Sequence, residues 1–300
     1  MLVRRVNVYD TMVLVLRRLV KLRGLVPRGR RSSLKERHEN ATGRRYDHTQ
    51  TMRILVTNDD GIYSPGIAAL ADVAAAFGDV RIVAPDVEMS GQGHAITSSR
   101  PLSFKRTPFG RFEAYRVNGT PADCVSLGTY NWDKADIVLS GINLGSNLGN
   151  SVWHSGTVAA ARQAALLGVR GVALSAPVNS SEPDFEELKP AVRRVIEILL
   201  PHAELELVNV NFPDRTPAGM QWTRQSVRHY VGTVAPGIDP MGRDHFWLVE
   251  RPIEETEEGT DRWAVERGYV ALTPLRLDLT NDPLLERGRV AVSLRERARV

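Results

Sequence analysis

Residues 53–57 read Arg-Ile-Leu-Val-Thr, a short apolar run rich in β-branched side chains. Such a run is typical of a strand that is buried on both faces. The segment Ile67–Phe77 is rich in helix formers and ends before Gly78, and Val80–Ala84 is a second apolar run. A strand, a helix and a strand within about thirty residues predict a right-handed βαβ unit with parallel strands.

The alternation continues through the middle of the chain. Further strands are predicted at residues 136–140, 171–175 and 206–211, and helices at residues 158–167 and 186–200. This order predicts an α/β fold built on a doubly wound, mostly parallel sheet of the Rossmann-like kind.

The pattern changes after Pro213. Residues 222–233 and 245–251 alternate polar and apolar side chains, as antiparallel strands with one solvent-facing side do, and residues 269–273 form another apolar run. We therefore expect a β-rich C-terminal extension at about residues 220–275, packed on the sheet or on a partner subunit.

Composition excludes several classes of protein. The 300 residues contain one cysteine, Cys124. A single cysteine excludes an intramolecular disulfide framework and a cysteine-based zinc site, and it favours a reducing, cytoplasmic location. No apolar stretch is long enough to cross a bilayer, so no membrane span is predicted.

Basic charge is concentrated at the N-terminus. Of the 39 Lys and Arg and the 35 Asp and Glu residues, 13 and 4 respectively lie in residues 1–51, which leaves 26 basic and 31 acidic side chains in residues 52–300. Because phosphate contacts need a concentrated basic surface, no nucleic-acid polymer is expected as a partner. Residues 1–51 are expected to be a disordered basic extension or the product of a start codon assigned upstream of Met52. Residues 52–300 would then be the folded domain.

In a doubly wound sheet, ligands bind beyond the carboxyl ends of the strands. The first strand is followed by Asn58, Asp59, Asp60 and Gly61. Adjacent carboxylates repel each other, and a hard divalent cation bound by oxygen atoms would offset that repulsion. The alternative is structural: Asp60 caps the next helix or stabilises a turn, and Asp59 points to solvent.

A glycine-spaced loop follows the second strand. It contains Ser90 and His94. Such a loop can present N–H groups to an anion and a hydroxyl to a metal, or it can be a plain surface connection. His94 is equally consistent with a general acid and with a structural hydrogen-bond donor.

A third polar loop follows the strand at residues 136–140. Residues 141–150 contain three glycines and three asparagines, which suits a ligand-binding loop better than a core segment. Ser155, Gly156 and Thr157 then start a helix, whose free N–H groups and positive dipole end favour a phosphate. An ordinary N-cap explains Ser155 alone but does not explain the preceding loop.

Five blocks of this sequence occur in a characteristic order, namely Asn58–Gly61, Ala84–Asp86 with Ser90-Gly91, Gly119–Val125, Ser140–Asn143 and Ser155–Ala159. Together they resemble the SurE survival-protein family, and the resemblance extends from Met52 to Pro274. It implies a SurE-like fold and a metal-dependent 5′(3′)-nucleotidase, a phosphoric monoester hydrolase acting on nucleoside monophosphates. It also implies C-terminal strands that exchange between subunits in a homodimer or homotetramer.

The resemblance further implies roles for the residues that match. Its cation, one Mg²⁺ or Mn²⁺ per subunit, would be held by four residues: Asp59, Asp60, Ser90 and Asn143. Phosphate or substrate binding would fall to six others: Asn58, His94, Asn147, Ser155, Gly156 and Thr157. Either Asp59 or Asp60 would orient or deprotonate the attacking water.

Two alternatives stay open. In aspartyl-phosphate phosphatases an aspartate is the nucleophile, but their pattern is Asp-x-Asp, whereas Asp59 and Asp60 are adjacent. A nucleotide-binding stress protein without catalysis would have similar loops, although no Gly-x-Gly-x-x-Gly follows the first strand.

Overall fold

The computed structural model describes residues 51–178, 183–227, 230–252 and 255–297. The expectations for residues 1–50 lie outside the described residues. The chain divides into two compact units, of which the smaller is represented by Thr51 and an exposed bend at Ser98–Pro101. The larger unit, residues 52–97 and from Leu102 onward, carries every strand and helix given below.

Eleven strands lie within the described residues: β1 Arg53–Thr57, β2 Asp79–Pro85, β3 Phe104–Thr107, β4 Glu113–Val117, β5 Ile137–Leu144, β6 Arg170–Ala176, β7 Leu207–Asn211, β8 Gly219–Trp222, β9 Tyr230–Ile238, β10 Asp244–Pro252 and β11 Tyr269–Pro274. Nine of them form one sheet in the order β3-β4-β2-β1-β5-β6-β7-β11-β8. Neighbouring strands from β4 to β7 are parallel, whereas β3 and β11 run antiparallel to β4 and β7. The predicted α/β fold with a mostly parallel sheet is confirmed.

Helices cover both faces of this sheet. The helices of the described residues are α1 Pro65–Ala74, α2 Pro121–Asn131, α3 Gly156–Leu166, α4 Phe185–Leu199, α5 Asp261–Glu266 and α6 Asp282–Arg297, with a 3₁₀ helix at Gly149–Trp153. Helices α1 to α4 cover the faces of the sheet, whereas residues 282–292 of α6 are exposed. Ile54 and Val56 of β1 belong to the apolar cluster that contains residues of α1 and α4, whereas Leu55 belongs to the cluster with residues of α2 and α3. Alternate residues of one strand therefore meet helices on opposite sides, as double winding requires. Among the helices described, none combines the length and the apolar character needed to cross a bilayer.

Helix α3 lies close against the sheet. A Cβ atom at Gly171 of β6 would lie 2.0 Å from the carbonyl oxygen of Ala161, so only glycine allows this approach. The buried side of α3 is built largely from alanine, which keeps the helix near the strands. This packing sets where the N-terminus of α3 lies relative to the carboxyl ends of β1 and β5.

The C-terminal extension differs in part from the expectation. The antiparallel strand predicted over residues 222–233 is confirmed for residues 230–233, which lie in β9. It is wrong for Trp222, which ends β8 and pairs in parallel with β11. The N–H of Thr223 still donates to Leu272 in the ladder between β8 and β11. Arg224 then pairs with Gly259 and Asp261 through backbone hydrogen bonds, and Ser226 donates its N–H to the carboxylate of Asp261. These bonds to other segments replace a continued ladder.

The two halves of the extension pack differently. Strands β8 and β11 join the central sheet, whereas β9 and β10 form a separate antiparallel pair. The predicted antiparallel character of residues 245–251 is confirmed, since they lie within β10.

Candidate functional site

The carboxyl ends of β1 and β5 form the switch point of the sheet. The chain crosses from β1 to β2 on one side and later returns to β5 on the other side of β1. Connections that leave neighbouring strands in opposite directions open a crevice, and ligands bind there in doubly wound folds. Asp59 and Asp60 follow β1, and Asn143 lies near the end of β5. The topology therefore brings two of the predicted loops to one crevice.

Asp59 is buried against the first turn of α3. Its side chain is 3% exposed, and its Oδ1 accepts a hydrogen bond from the hydroxyl of Thr157. A Cβ atom at Gly156 would lie 2.8 Å from the Cβ of Asp59, so glycine is required there. Burial raises the pKa of Asp59, while hydrogen bonds from the Thr157 hydroxyl and from the N–H groups of Gly156 and Thr157 lower it. The alternative in which Asp59 points to solvent is wrong.

Asp60 faces the crevice. Its Oδ2 accepts a hydrogen bond from the N–H of Leu144 at 3.4 Å, which links β1 to β5. It does not cap α1, whose N-cap residue is Ser64. Burial and the negative charges of Asp59 and Glu88 raise the pKa of Asp60 to about 7. Among the described residues, neither Asp59 nor Asp60 forms an ion pair with a basic side chain. Two carboxylates are thus held together without a basic partner.

Ser90 lines a cavity with Asp60. The cavity has a volume of about 420 Å³. Two backbone hydrogen bonds hold the Ser90 loop against the loop after β1: the N–H of Met89 donates to the carbonyl of Asp59 at 2.7 Å, and the N–H of Ile62 donates to Pro85 at 2.9 Å. The second predicted loop therefore reaches the same crevice as the aspartates.

A distortion in β5 positions Asn143. The pairing with β6 shifts between Ser140 and Asn143, and Gly141 has a φ of 135°, which strongly favours glycine. Asn143 is 8% exposed, and its Nδ2 donates to the carbonyl of Gly145 at 2.7 Å. Its Oδ1 is therefore the atom that can contact a cation.

This set of oxygen atoms fits a hard divalent cation. In the part of the chain that the structure describes, no three His, Cys, Asp or Glu side chains come together to hold a metal. A cation here would take two carboxylates and the neutral oxygens of Ser90 and Asn143. Mg²⁺ and Mn²⁺ accept such oxygen ligands and keep several waters. A cation would also neutralise the repulsion between Asp59 and Asp60.

The N-terminus of α3 has the features of an anion site. The hydroxyl of Ser155 accepts from the N–H of Val158 at 3.0 Å, which caps the helix. The N–H groups of Gly156 and Thr157 lie at the positive end of the helix dipole. Because these groups already favour the ionised form of Asp59, the helix end and the carboxylates form one continuous polar site.

Asn58 and Asn147 are structural parts of their loops. The Nδ2 of Asn58 donates to the carbonyl of Gly61 at 2.9 Å and to the hydroxyl of Ser64 at 2.7 Å, and Asn58 is fully buried. The Nδ2 of Asn147 donates to the hydroxyl of Ser175 at 2.8 Å, and its carbonyl accepts from two asparagines of β7. The Asn58 side chain therefore stabilises the loop after β1, and the Asn147 side chain stabilises the loop after β5.

His94 contacts α3 rather than the carboxylates. Its Nε2 is paired with the Oε1 of Gln163 at 2.8 Å, and Gln163 in turn donates to Ser126 of α2. Burial lowers the pKa of His94. Its proposed part in substrate binding stays a prediction.

Sequence reasoning missed a buried aspartate far along the chain. Asp261 is fully buried and accepts backbone hydrogen bonds from Gly149 at 2.9 Å, Ser226 at 3.0 Å and Arg262 at 2.8 Å. Gln225 adds a bond from its Nε2 to the carbonyl of Gly149 at 2.7 Å. The C-terminal segment therefore clamps the 3₁₀ helix that leads into Ser155. Thr260 and Asp261 form a Thr-Asp pair at the start of α5, which is a helix-capping signal. This signal could have pointed to Asp261.

The fold and the crevice define a class: a doubly wound α/β protein with adjacent aspartates and a helix N-terminus at its switch point. The family model described as "Survival protein SurE" matches residues 54–232. This chain belongs to the SurE family.

Individual relatives agree with that assignment. The chain is 50% identical to "5′-nucleotidase SurE 1" of Thermus thermophilus over 78% of this chain and 96% of that protein. It is 44% identical to "5′-nucleotidase SurE" of Deinococcus radiodurans over 78% of this chain and 90% of that protein. The crystal structure of the SurE protein from Aquifex aeolicus matches with a TM-score of 0.69 and 40% identity, over 78% of this chain and 97% of that chain.

Replacing Asp261 by alanine is expected to lower the free energy of unfolding by about 2–4 kcal/mol, because buried backbone donors lose their acceptor. A urea titration measures this loss. The matched control is Asp239→Ala: Asp239 also accepts from backbone N–H groups, those of Met241 and Arg243, but it lies in an exposed turn where water can replace it. Equal losses of unfolding free energy in the two variants would contradict a stabilising role for the buried hydrogen bonds of Asp261.

Proposed function

We propose that this chain is a divalent-metal-dependent 5′-nucleotidase, which hydrolyses nucleoside monophosphates to a nucleoside and phosphate. The observation that carries the proposal is the contact between the first turn of α3 and the buried carboxylate of Asp59. A cation on the carboxylates and a phosphate on the helix end would lie side by side, as phosphomonoester hydrolysis requires. The printed names of the relatives support the same activity.

The proposed cation ligands are Asp59, Asp60, Ser90 and Asn143, with one Mg²⁺ or Mn²⁺ in each subunit. When bound, the cation supplies positive charge that polarises the phosphate oxygens. The oxygen-only ligand set supports this assignment, as does the repulsion between the two aspartates, which raises the pKa of Asp60.

The proposed phosphate site is the start of α3. The N–H groups of Gly156 and Thr157 and the hydroxyl of Ser155 donate to the phosphate oxygens, where negative charge accumulates as the ester bond breaks. The hydroxyl of Thr157 holds the carboxylate of Asp59 beside them. Asn147 acts by holding the loop that leads to these donors, and Asn58 acts by holding the loop that carries Asp59 and Asp60. We assign them positioning roles.

The proposed base is Asp60. Asp59 is held by Thr157 and the amides of α3, whereas Asp60 lines the cavity that would contain the attacking water. Asp60 orients this water and takes up its proton as the oxygen bonds to phosphorus. The P–O bond to the nucleoside breaks, and the nucleoside oxygen leaves with the bonding electron pair and takes a proton from solvent water to form the alcohol.

Asp60→Asn is expected to lower phosphate release from AMP with Mn²⁺ or Mg²⁺ by about 100-fold or more, because one ligand and the base are lost together. Mn²⁺ binding, followed by calorimetry, should weaken in the same variant. The control is Asp72→Asn, which removes an exposed carboxylate of α1 that pairs with Arg111 and Lys189.

Wild-type turnover in Asp60→Asn would rule out the assignment. A phosphoaspartate trapped by borohydride would replace water attack with covalent catalysis. Nucleotide binding without phosphate release under any divalent ion would make the protein a binder rather than an enzyme.

We also propose that residues 52–300 form the catalytic unit. All proposed site residues and the family match lie C-terminal to Met52. A chain that begins at Met52 should release phosphate at the rate of the full-length chain, and loss of activity would refute this boundary.

We propose, further, that the hairpin of β9 and β10 joins copies of this chain into a homodimer or homotetramer. An isolated two-stranded hairpin is marginal in water. Its apolar side chains are nonetheless largely exposed, among them Ile238 at 71%, Phe246 at 68%, Trp247 at 67% and Leu248 at 86%. Such a surface indicates a protein contact.

Trp247→Asp is expected to shift the protein toward the monomer, because a charge would be buried in the contact. Light scattering after size exclusion measures the mass. Tyr130→Asp is the control, since Tyr130 is 77% exposed on α2, outside the hairpin. An unchanged assembly in Trp247→Asp would exclude the hairpin as the interface.

A further inference from the structure

We propose that Tyr63 is the platform on which the nucleobase stacks, so that this residue gives the site its preference for nucleotides over other phosphomonoesters. The inference rests on the proposed nucleotidase function. It assigns a binding residue to the nucleobase, which the proposed phosphate and cation ligands do not contact.

Tyr63 lines the same cavity as Asp60 and Ser90. The cavity volume of about 420 Å³ lies within the range of pockets that take molecules of nucleotide size. Only two residues, Gly61 and Ile62, separate Tyr63 from Asp60. The turn at Gly61 reverses the chain between them, with a φ of 95° and a hydrogen bond from the N–H of Ser64 to the carbonyl of Gly61. A phosphate held beside Asp60 therefore leaves its nucleoside part within the same cavity.

The ring of Tyr63 is exposed but anchored. Its relative exposure is 68%, and its hydroxyl is hydrogen-bonded to the Oγ1 of Thr107 at 3.1 Å. Thr107 is buried in β3, and the residues on either side of Tyr63 are held by their own contacts: Ile62 is fully buried, and Ser64 receives a hydrogen bond from Asn58. An aromatic face that is fixed before binding loses little entropy when a base stacks on it.

The charge of the cavity favours a neutral group next to Tyr63. The lining includes the carboxyl-bearing Asp86 and Glu88 as well as Asp60, and no Lys or Arg is among the described residues that line it. A second phosphate would be repelled there, whereas ribose hydroxyls and base amino groups can donate hydrogen bonds to carboxylates. The expected occupant is thus an uncharged nucleoside with a single phosphate at the α3 end.

Two substrates test the inference: AMP, and ribose 5-phosphate, which lacks the base. Tyr63→Ala is expected to lower kcat/KM for AMP by about tenfold, mainly through KM, because stacking on one aromatic ring has that order of effect. Hydrolysis of ribose 5-phosphate should be unchanged. Tyr63→Phe keeps the ring and loses only the bond to Thr107, so it should retain the activity toward AMP.

Tyr130→Ala is the matched control, because Tyr130 is an equally exposed tyrosine that does not line the cavity. An equal loss with both substrates in Tyr63→Ala would show a structural role and overturn the inference, as would no loss with either. If the wild-type chain hydrolyses neither substrate, the proposed function fails and the inference fails with it. If it hydrolyses both and Tyr63→Ala does not discriminate between them, only the stacking role fails.

Discussion

A buried carboxylate, Asp59, touches the first turn of α3, and the rest of the site is arranged around that contact. The carboxylate carries a negative charge that burial opposes, and hydrogen bonds from the first turn of α3 favour that charge. Asp60 adds a second negative charge without a basic partner. The contact therefore offers a place for a cation and a place for an anion next to each other, which is the arrangement that phosphate-ester hydrolysis uses.

Separate parts of the chain hold this contact in place. Gly171 lets α3 approach the sheet, and Gly156 lets Asp59 approach α3. Asn147 is tied to β6 and β7, and Asp261 holds the 3₁₀ helix from the C-terminal side. Because these supports come from distant segments, the site depends on the complete fold rather than on one motif.

Much of the fold could be predicted because its signals are local. The apolar run at Arg53–Thr57 and the helix-forming segments between the strands indicate element type within a few residues, and the order of elements then indicates a parallel sheet. The position of the candidate site in the polar loops could also be predicted, because the carboxyl ends of parallel strands lie at one edge of the sheet. The roles predicted for these loop residues came from the resemblance to the SurE family and not from the pattern of the loops.

Other features depend on contacts between residues far apart in the sequence. Asp261 meets Gly149 across 112 positions, and nothing near Asp261 indicates that partner. Residues 222–233 do not form one strand, because Arg224 and Ser226 form hydrogen bonds with the distant segment at residues 259–261. The proposed stacking role of Tyr63 could not be predicted from the sequence, because it depends on the cavity that Tyr63 lines and on its hydrogen bond to Thr107.

The most direct measurement is calorimetric binding of inorganic phosphate to the wild-type chain with and without Mn²⁺. If cation and phosphate share one site at Asp59 and α3, Mn²⁺ should tighten phosphate binding by about tenfold or more, and phosphate should tighten Mn²⁺ binding by the same factor. Phosphate affinity that does not change with Mn²⁺ would contradict a shared site.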